Sequence, residues 1–153
     1  MGIKERLTEL GLELPSVTKP VAAYVPAVQT GNHVYVSGQV PIADGALLAK
    51  GKVGAEVTAE QAKELAARCA LNGLAAIESL VGLDRVTRVV KVVGFVASAE
   101  GFTGQPGVIN GASELLGAVF GEAGQHARSA VGVAELPMGA PVEVEMIVEI
   151  APA

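Results

Sequence analysis

Two side chains in the last quarter of the chain could do chemistry together. Arg128 stands in HARSAVGVAELP, just ahead of a run of valine, alanine and glycine, and Glu143 follows in PVEVEMIVEI. A guanidinium presents a rigid fork of donors that suits a carboxylate or phosphate. A carboxylate can hold or activate a water. On a strand, Arg128 would share a side with Ala130, Gly132 and Ala134, whose small size leaves room for a ligand. The competing reading is a cross-strand ion pair with Glu143 or Glu145, which is ordinary on sheets. From these residues alone the ion pair leads. Glu143 also shares its strand face with Glu145 and Glu149, a pattern that reads as a solvated surface until something singles one of them out.

Other polar residues carry weaker signals. Tyr24, Tyr35, Ser37 and Asn110 lie on or beside apolar elements, where hydroxyls and amides usually serve as structural hydrogen-bonders. Ser37 sits in VSGQ, without the GxSxG frame of a nucleophile elbow and with no histidine obviously placed as its base. His33 and His126 are far apart and lack any CxxC or HExxH context, so no metal or other cofactor is expected. Cys69 falls on an apolar helical stripe and reads as an inert core residue. GFTGQPG lacks both the GK[ST] ending of a phosphate loop and the strand–GxGxxG–helix frame of a dinucleotide site.

The elements that must position these groups follow from periodicity. Residues 3–10 predict a short helix stopped by Gly11, and Leu12 to Pro20 an extended connector. VAAYVPAV and NHVYVSG, joined through Gly31-Asn32, predict a hairpin beginning at Val21. Ala46 to Val53 is a weaker strand candidate, broken by glycines. Thr58 and Gln61 have capping-box spacing ahead of a 3.6-period apolar stripe that ends at Gly82. VTRVVKVVGFVA predicts a central strand, and 108–120 a second long helix. Two closing strands, 127–134 and 142–150, are joined by LPMGAP. In the last, Val142, Val144, Met146, Val148 and Ile150 alternate with the glutamates, as expected of a sheet packed on one face only. The order βββαβαββ predicts an α+β domain over 21–153, preceded by a helix and connector over 1–20.

Composition narrows the class. At 153 residues the chain suits one core, and with 3% aromatic residues that core must be built from small and branched aliphatics. Such side chains bury little area each, so subunit contacts are expected to help. A net charge of −5 counts against a general nucleic-acid binder, which needs a basic stripe. A single cysteine cannot form an intrachain disulfide, which fits a reducing compartment. The N-terminus lacks a signal-peptide pattern and no run is apolar enough to span a bilayer, so a cytoplasmic protein is expected.

Two stretches carry a family resemblance. YVPAVQTGNHVYVSGQVP resembles the first hairpin of the Rid (reactive intermediate deaminase, or YjgF) family, and ARSAVGVAELPMGAPVEVE resembles its closing R-S-x-V-x-V, L-P, E-x-E signature. VVKVVGFV and INGASELLGAVF resemble the central strand and second helix between them. The resemblance implies a chorismate-mutase-like fold, with a mixed six-stranded sheet, two helices on one face, and a homotrimer with clefts between subunits. It implies hydrolytic deamination of 2-imino acids to 2-oxo acids without metal or organic cofactor. It assigns Arg128 to the ligand carboxylate, reversing the ion-pair reading, and Glu143 to the hydrolytic water. Tyr24 would close the pocket, Ser37 and Gly38 would form its floor, and Asn110 would stand near the cleft. Ala130 occupies a place where the best-known imine deaminases of the family carry cysteine, which implies a divergent pocket. A non-catalytic trimer binding small carboxylates and an endoribonuclease are the rival readings.

Overall fold

The computed structural model describes residues 2–17 and 23–153. The elements run α1 (Ile3–Glu9), β1 (Ala27–Thr30), β2 (His33–Gln39), β3 (Ile42–Ala43), β4 (Ala46–Leu47), α2 (Ala59–Leu80), β5 (Val86–Ala97), α3 (Gln105–Phe120), β6 (Ala127–Val133) and β7 (Val142–Ile150). The expected start of the first strand, Val21 and Ala22, lies outside the described residues. Ala23 and Tyr24 form a bend, and pairing begins only at Ala27.

Among the described residues the main sheet has five strands in the order β1-β2-β7-β5-β6, correcting the six expected. The weak candidate after Ala46 is the reason. Its first residues pair only with β3, in a separate two-stranded ribbon, while Val53 makes isolated bridges to Val57 and Ser98. Gly45, Gly51 and Gly54 all take positive φ there and turn the chain before a longer ladder can form. The sheet is mixed. β5 and β6 run parallel across the α3 crossover, and the other neighbours in the sheet are antiparallel.

α2 and α3 cover one face. Thr58 caps α2 through the anticipated box, its Oγ1 accepting from the Gln61 N–H at 3.1 Å while Gln61 Oε1 accepts from the Thr58 N–H at 2.9 Å. α3 starts at Gln105, three residues earlier than the apolar pattern suggests, because Pro106 falls in the first turn, where its missing N–H costs nothing. Val34, Val36, Val89, Val92, Val96 and the even-numbered residues of β7 are buried beneath the helices. Each fully buried aliphatic side chain contributes about 1.5–3 kcal/mol. Cys69 lies within this core, and burial pushes its thiol well above the ordinary value. α1 docks on the body, with Arg6 Nε donating to the Ala118 carbonyl at 2.9 Å and Asp84 accepting from the Ile3 N–H at 2.9 Å.

Candidate functional site

Among the described residues β6 is an edge strand paired only with β5, and Arg128 stands opposite Val92. Val92 is fully buried on the helix side, so Arg128 reaches into the rim of the helix layer. Its Nη1 donates to Asn110 Oδ1 at 2.8 Å and to Ser113 Oγ at 3.2 Å, and its Nη2 donates to the Pro106 carbonyl at 3.4 Å. Those acceptors stand at i, i+4 and i+7 on α3 and therefore share one helix face. They anchor one edge of the guanidinium. Nε–H and one Nη2–H have no protein acceptor among the described residues, so the adjacent edge stays open for a planar anion. The ion-pair alternative is not realised. No described carboxylate lies within salt-bridge distance of Arg128, and Glu143 and Glu145 occupy the opposite sheet face.

The small residues beside Arg128 do a different job from the one their sizes suggest. Ala130 stands across from Gly94, where an added Cβ would collide with Ile109 of α3. A Cβ on Gly132 would come 2.7 Å from Gln105 Nε2. The stripe lets the start of α3 ride close to the sheet, and that closeness brings Pro106 and Asn110 within reach of the guanidinium.

Glu143 belongs to a second group on the uncovered face. It pairs across from Phe95 and lies over Gly38, where a Cβ would fall 2.8 Å from its Cδ and 2.9 Å from Oε2. Gly38 occupies the irregularity between Val36 and Gln39 in the β2–β7 pairing. Half-burial, then the neighbouring Glu145 charge, lift the Glu143 carboxyl above its ordinary value. Ser37 spends both donors inside the chain, its hydroxyl on the Val25 carbonyl at 2.6 Å and its N–H on the Pro26 carbonyl at 2.9 Å. That latch holds down the segment carrying Tyr24, whose ring is 56% exposed.

The predicted residues thus fall into two clusters. Arg128, Asn110 and Ala130 lie on the helix side of the β6 edge, while Glu143, Gly38, Ser37 and Tyr24 gather at the β2–β7 end of the uncovered face. One chain does not bring the two into one cleft. The uncovered face is itself apolar in part. Val28, Tyr35 and Val131 are each about half exposed there, and a hollow of about 480 Å³ is lined by Tyr35, Lys91, Val93, Glu145 and Ile147 among others.

Sequence reasoning missed one constellation. Ser113 Oγ lies 2.8 Å from His126 Nε2, and His126 Nδ1 lies 2.6 Å from the Gly124 carbonyl. The available signal was Ser113's place one helical turn beyond Asn110, on the side that faces the start of β6. No cluster of potential metal ligands exists among the described residues, and no helix among them is long and apolar enough to cross a membrane.

The Endoribonuclease L-PSP family profile matches residues 15–150, and the chain belongs to that family, the Rid/YjgF family of the sequence resemblance. Protein TCP17 of Trypanosoma cruzi is 45% identical over 150 residues, covering 97% of this chain and 94% of that one. A 2-iminobutanoate/2-iminopropanoate deaminase of Dermatophagoides farinae is 33% identical over 139 residues, covering 91% and 94%. The crystal structure of Atu1372 from Agrobacterium tumefaciens, described as of unknown function, superposes with a TM-score of 0.89 at 46% identity, covering 98% and 94%.

Proposed function

We propose that the protein hydrolyses reactive 2-imino acids to 2-oxo acids and ammonia, as a homotrimer whose sites lie between subunits. The observation that carries this reading is the half-committed guanidinium of Arg128, held by α3 on one edge and open on the other. A neutral ligand would gain little from it, whereas a carboxylate can take two parallel charge-assisted bonds. The relative named as an imine deaminase supplies the reaction class. Assembly supplies the missing geometry: Arg128 from one subunit faces Glu143 from the next across the seam, which a single chain cannot achieve.

Arg128 holds the carboxylate and so fixes the C=N group in orientation. Glu143 as carboxylate accepts a proton from water while the water oxygen bonds to the imine carbon. The C=N π electrons pass to nitrogen, which takes up a proton. In the resulting carbinolamine the hydroxyl proton passes through Glu143 to the amino nitrogen, the C–N bond breaks to release ammonia, and the carbonyl forms. No step requires a metal or organic cofactor. Ala130 leaves the pocket wall without a thiol, and its backbone carbonyl can hold the water beside Glu143.

The test is ammonia release from an enamine generated in place by an amino-acid dehydratase. Acceleration by the wild type that Arg128→Ala abolishes supports the proposal. A background rate combined with measurable 2-oxo acid binding would instead make the protein a carboxylate-binding trimer. The acidic net charge and the few aromatic residues available for base stacking count against the ribonuclease activity implied by the family's name.

A further inference from the structure

We propose that Ser113 and His126 form a separate nucleophile–base pair, and that it accepts acyl groups from small esters bearing a second, anionic end. The hydrogen-bond chain assigns the tautomer of the neutral imidazole. A backbone carbonyl only accepts, so the 2.6 Å contact to Gly124 places hydrogen on His126 Nδ1. Nε2 then carries the lone pair, and the 2.8 Å contact is Ser113 O–H donating to it. Ser113 Oγ in turn accepts from Arg128 Nη1 at 3.2 Å. A hydroxyl hydrogen-bonded to a base, with the base oriented by a third group, is the arrangement that activates serine. A carbonyl takes the orienting place that a carboxylate fills in the Ser-His-Asp arrangement.

The surroundings give an acyl group space and a charge to recognise. An open cleft of about 360 Å³ is lined by Ser113, His126 and Arg128 together with Gly117, Gly124 and Gln125. Gly117 would meet nothing within 4 Å even with a Cβ, so an acyl group has room on that side of the cleft. Both Arg128 Nη1 hydrogens are taken, by Asn110 and Ser113, and they hold the guanidinium beside Oγ. The unsatisfied Nε–H edge of the same guanidinium selects an anionic acyl group. In the reaction, Oγ bonds to the acyl carbon and its proton passes to Nε2. The C–O bond to the alcohol breaks, and the leaving oxygen takes that proton. Water, deprotonated by Nε2, then cleaves the acyl-serine and restores the hydroxyl.

The probe is mono(p-nitrophenyl) terephthalate, whose carboxylate cannot reach its own ester carbonyl, with p-nitrophenyl benzoate as its neutral counterpart. The wild type is expected to give a p-nitrophenolate burst equal to the protomer concentration and a carboxybenzoyl adduct mapping to Ser113 by peptide mass. Ser113→Ala should abolish both. H126Q keeps an acceptor for the Ser113 hydroxyl and so preserves a purely structural bond, but it cannot act as a base. Its burst rate should fall by about a hundredfold or more. After subtraction of the buffer rate, the terephthalate should react faster than the benzoate. Hydrolysis at the buffer rate, an adduct that survives Ser113→Ala, a full burst in H126Q, or equal rates for the two esters would overturn the proposal. Failure of the imine-deaminase assay leaves this readout intact, because acylation is followed by adduct mass rather than by ammonia.

Discussion

Replacing Arg128 by lysine separates charge from shape. Lysine keeps the cation but cannot hold the Asn110 and Ser113 acceptors on one edge while offering a planar pair of donors on the other. Affinity for pyruvate, measured by titration calorimetry, should fall about tenfold in Arg128→Lys, and by about 2–3 kcal/mol in Arg128→Ala. Glu143 gives a pH signature. Its carboxyl is raised by burial first and by Glu145 second, so the acid limb of the deaminase profile should lie above the ordinary value of 4.5. Glu145→Gln removes the like charge and should move that limb to lower pH, whereas a limb unmoved in this variant would exclude Glu143 as the titrating base. The same shift bears on stability. Folded Glu143 resists ionisation, so the favourable balance present below 4.5 is lost as pH rises through the raised value. Glu143→Gln should therefore flatten that fall in a denaturant series.

At the level of elements, two glycines of α3 should behave in opposite ways. A Cβ on Gly111 would collide with the Lys63 carbonyl of α2, where neither backbone can yield easily. Gly111→Ala should cost about 2–3 kcal/mol or more in chemical denaturation, with the α2–α3 packing disturbed. Gly117 meets nothing within 4 Å, so Gly117→Ala should gain about 0.5–1 kcal/mol from helix propensity alone. Gly38 is the equivalent point on β2, where a methyl would displace the Glu143 carboxylate rather than the backbone. The expected outcome of Gly38→Ala is lost turnover with the melting transition little changed.

For the whole molecule, the uncovered sheet face carries the prediction. Val28, Tyr35 and Val131 stay about half exposed there, a cost that a second copy would remove. Val131→Glu should shift the sedimentation coefficient from trimer toward monomer and abolish imine hydrolysis, while the far-ultraviolet circular dichroism stays unchanged. A monomeric wild type that still releases ammonia would refute the intersubunit site.

The sequence by itself determined the α+β class, the covered and uncovered faces of β7, the α2 capping box and the family, because each depends on local periodicity or on a contiguous motif. It named Arg128 and Asn110, which the structure does join by a hydrogen bond, and Glu143 and Gly38, which it packs together. It counted the weak, glycine-broken candidate after Ala46 as a strand of the main sheet, whereas only Ala46 and Leu47 are strand, paired with β3 before the positive-φ glycines turn the chain. Only the tertiary structure placed Arg128 and Glu143 on opposite faces, since register across β7, β5 and β6 is a property of pairing. Only it brought His126, just ahead of β6, against Ser113 on α3. That contact depends on how closely a helix rides over an edge strand, a distance set by glycines far apart in the chain and by no local rule.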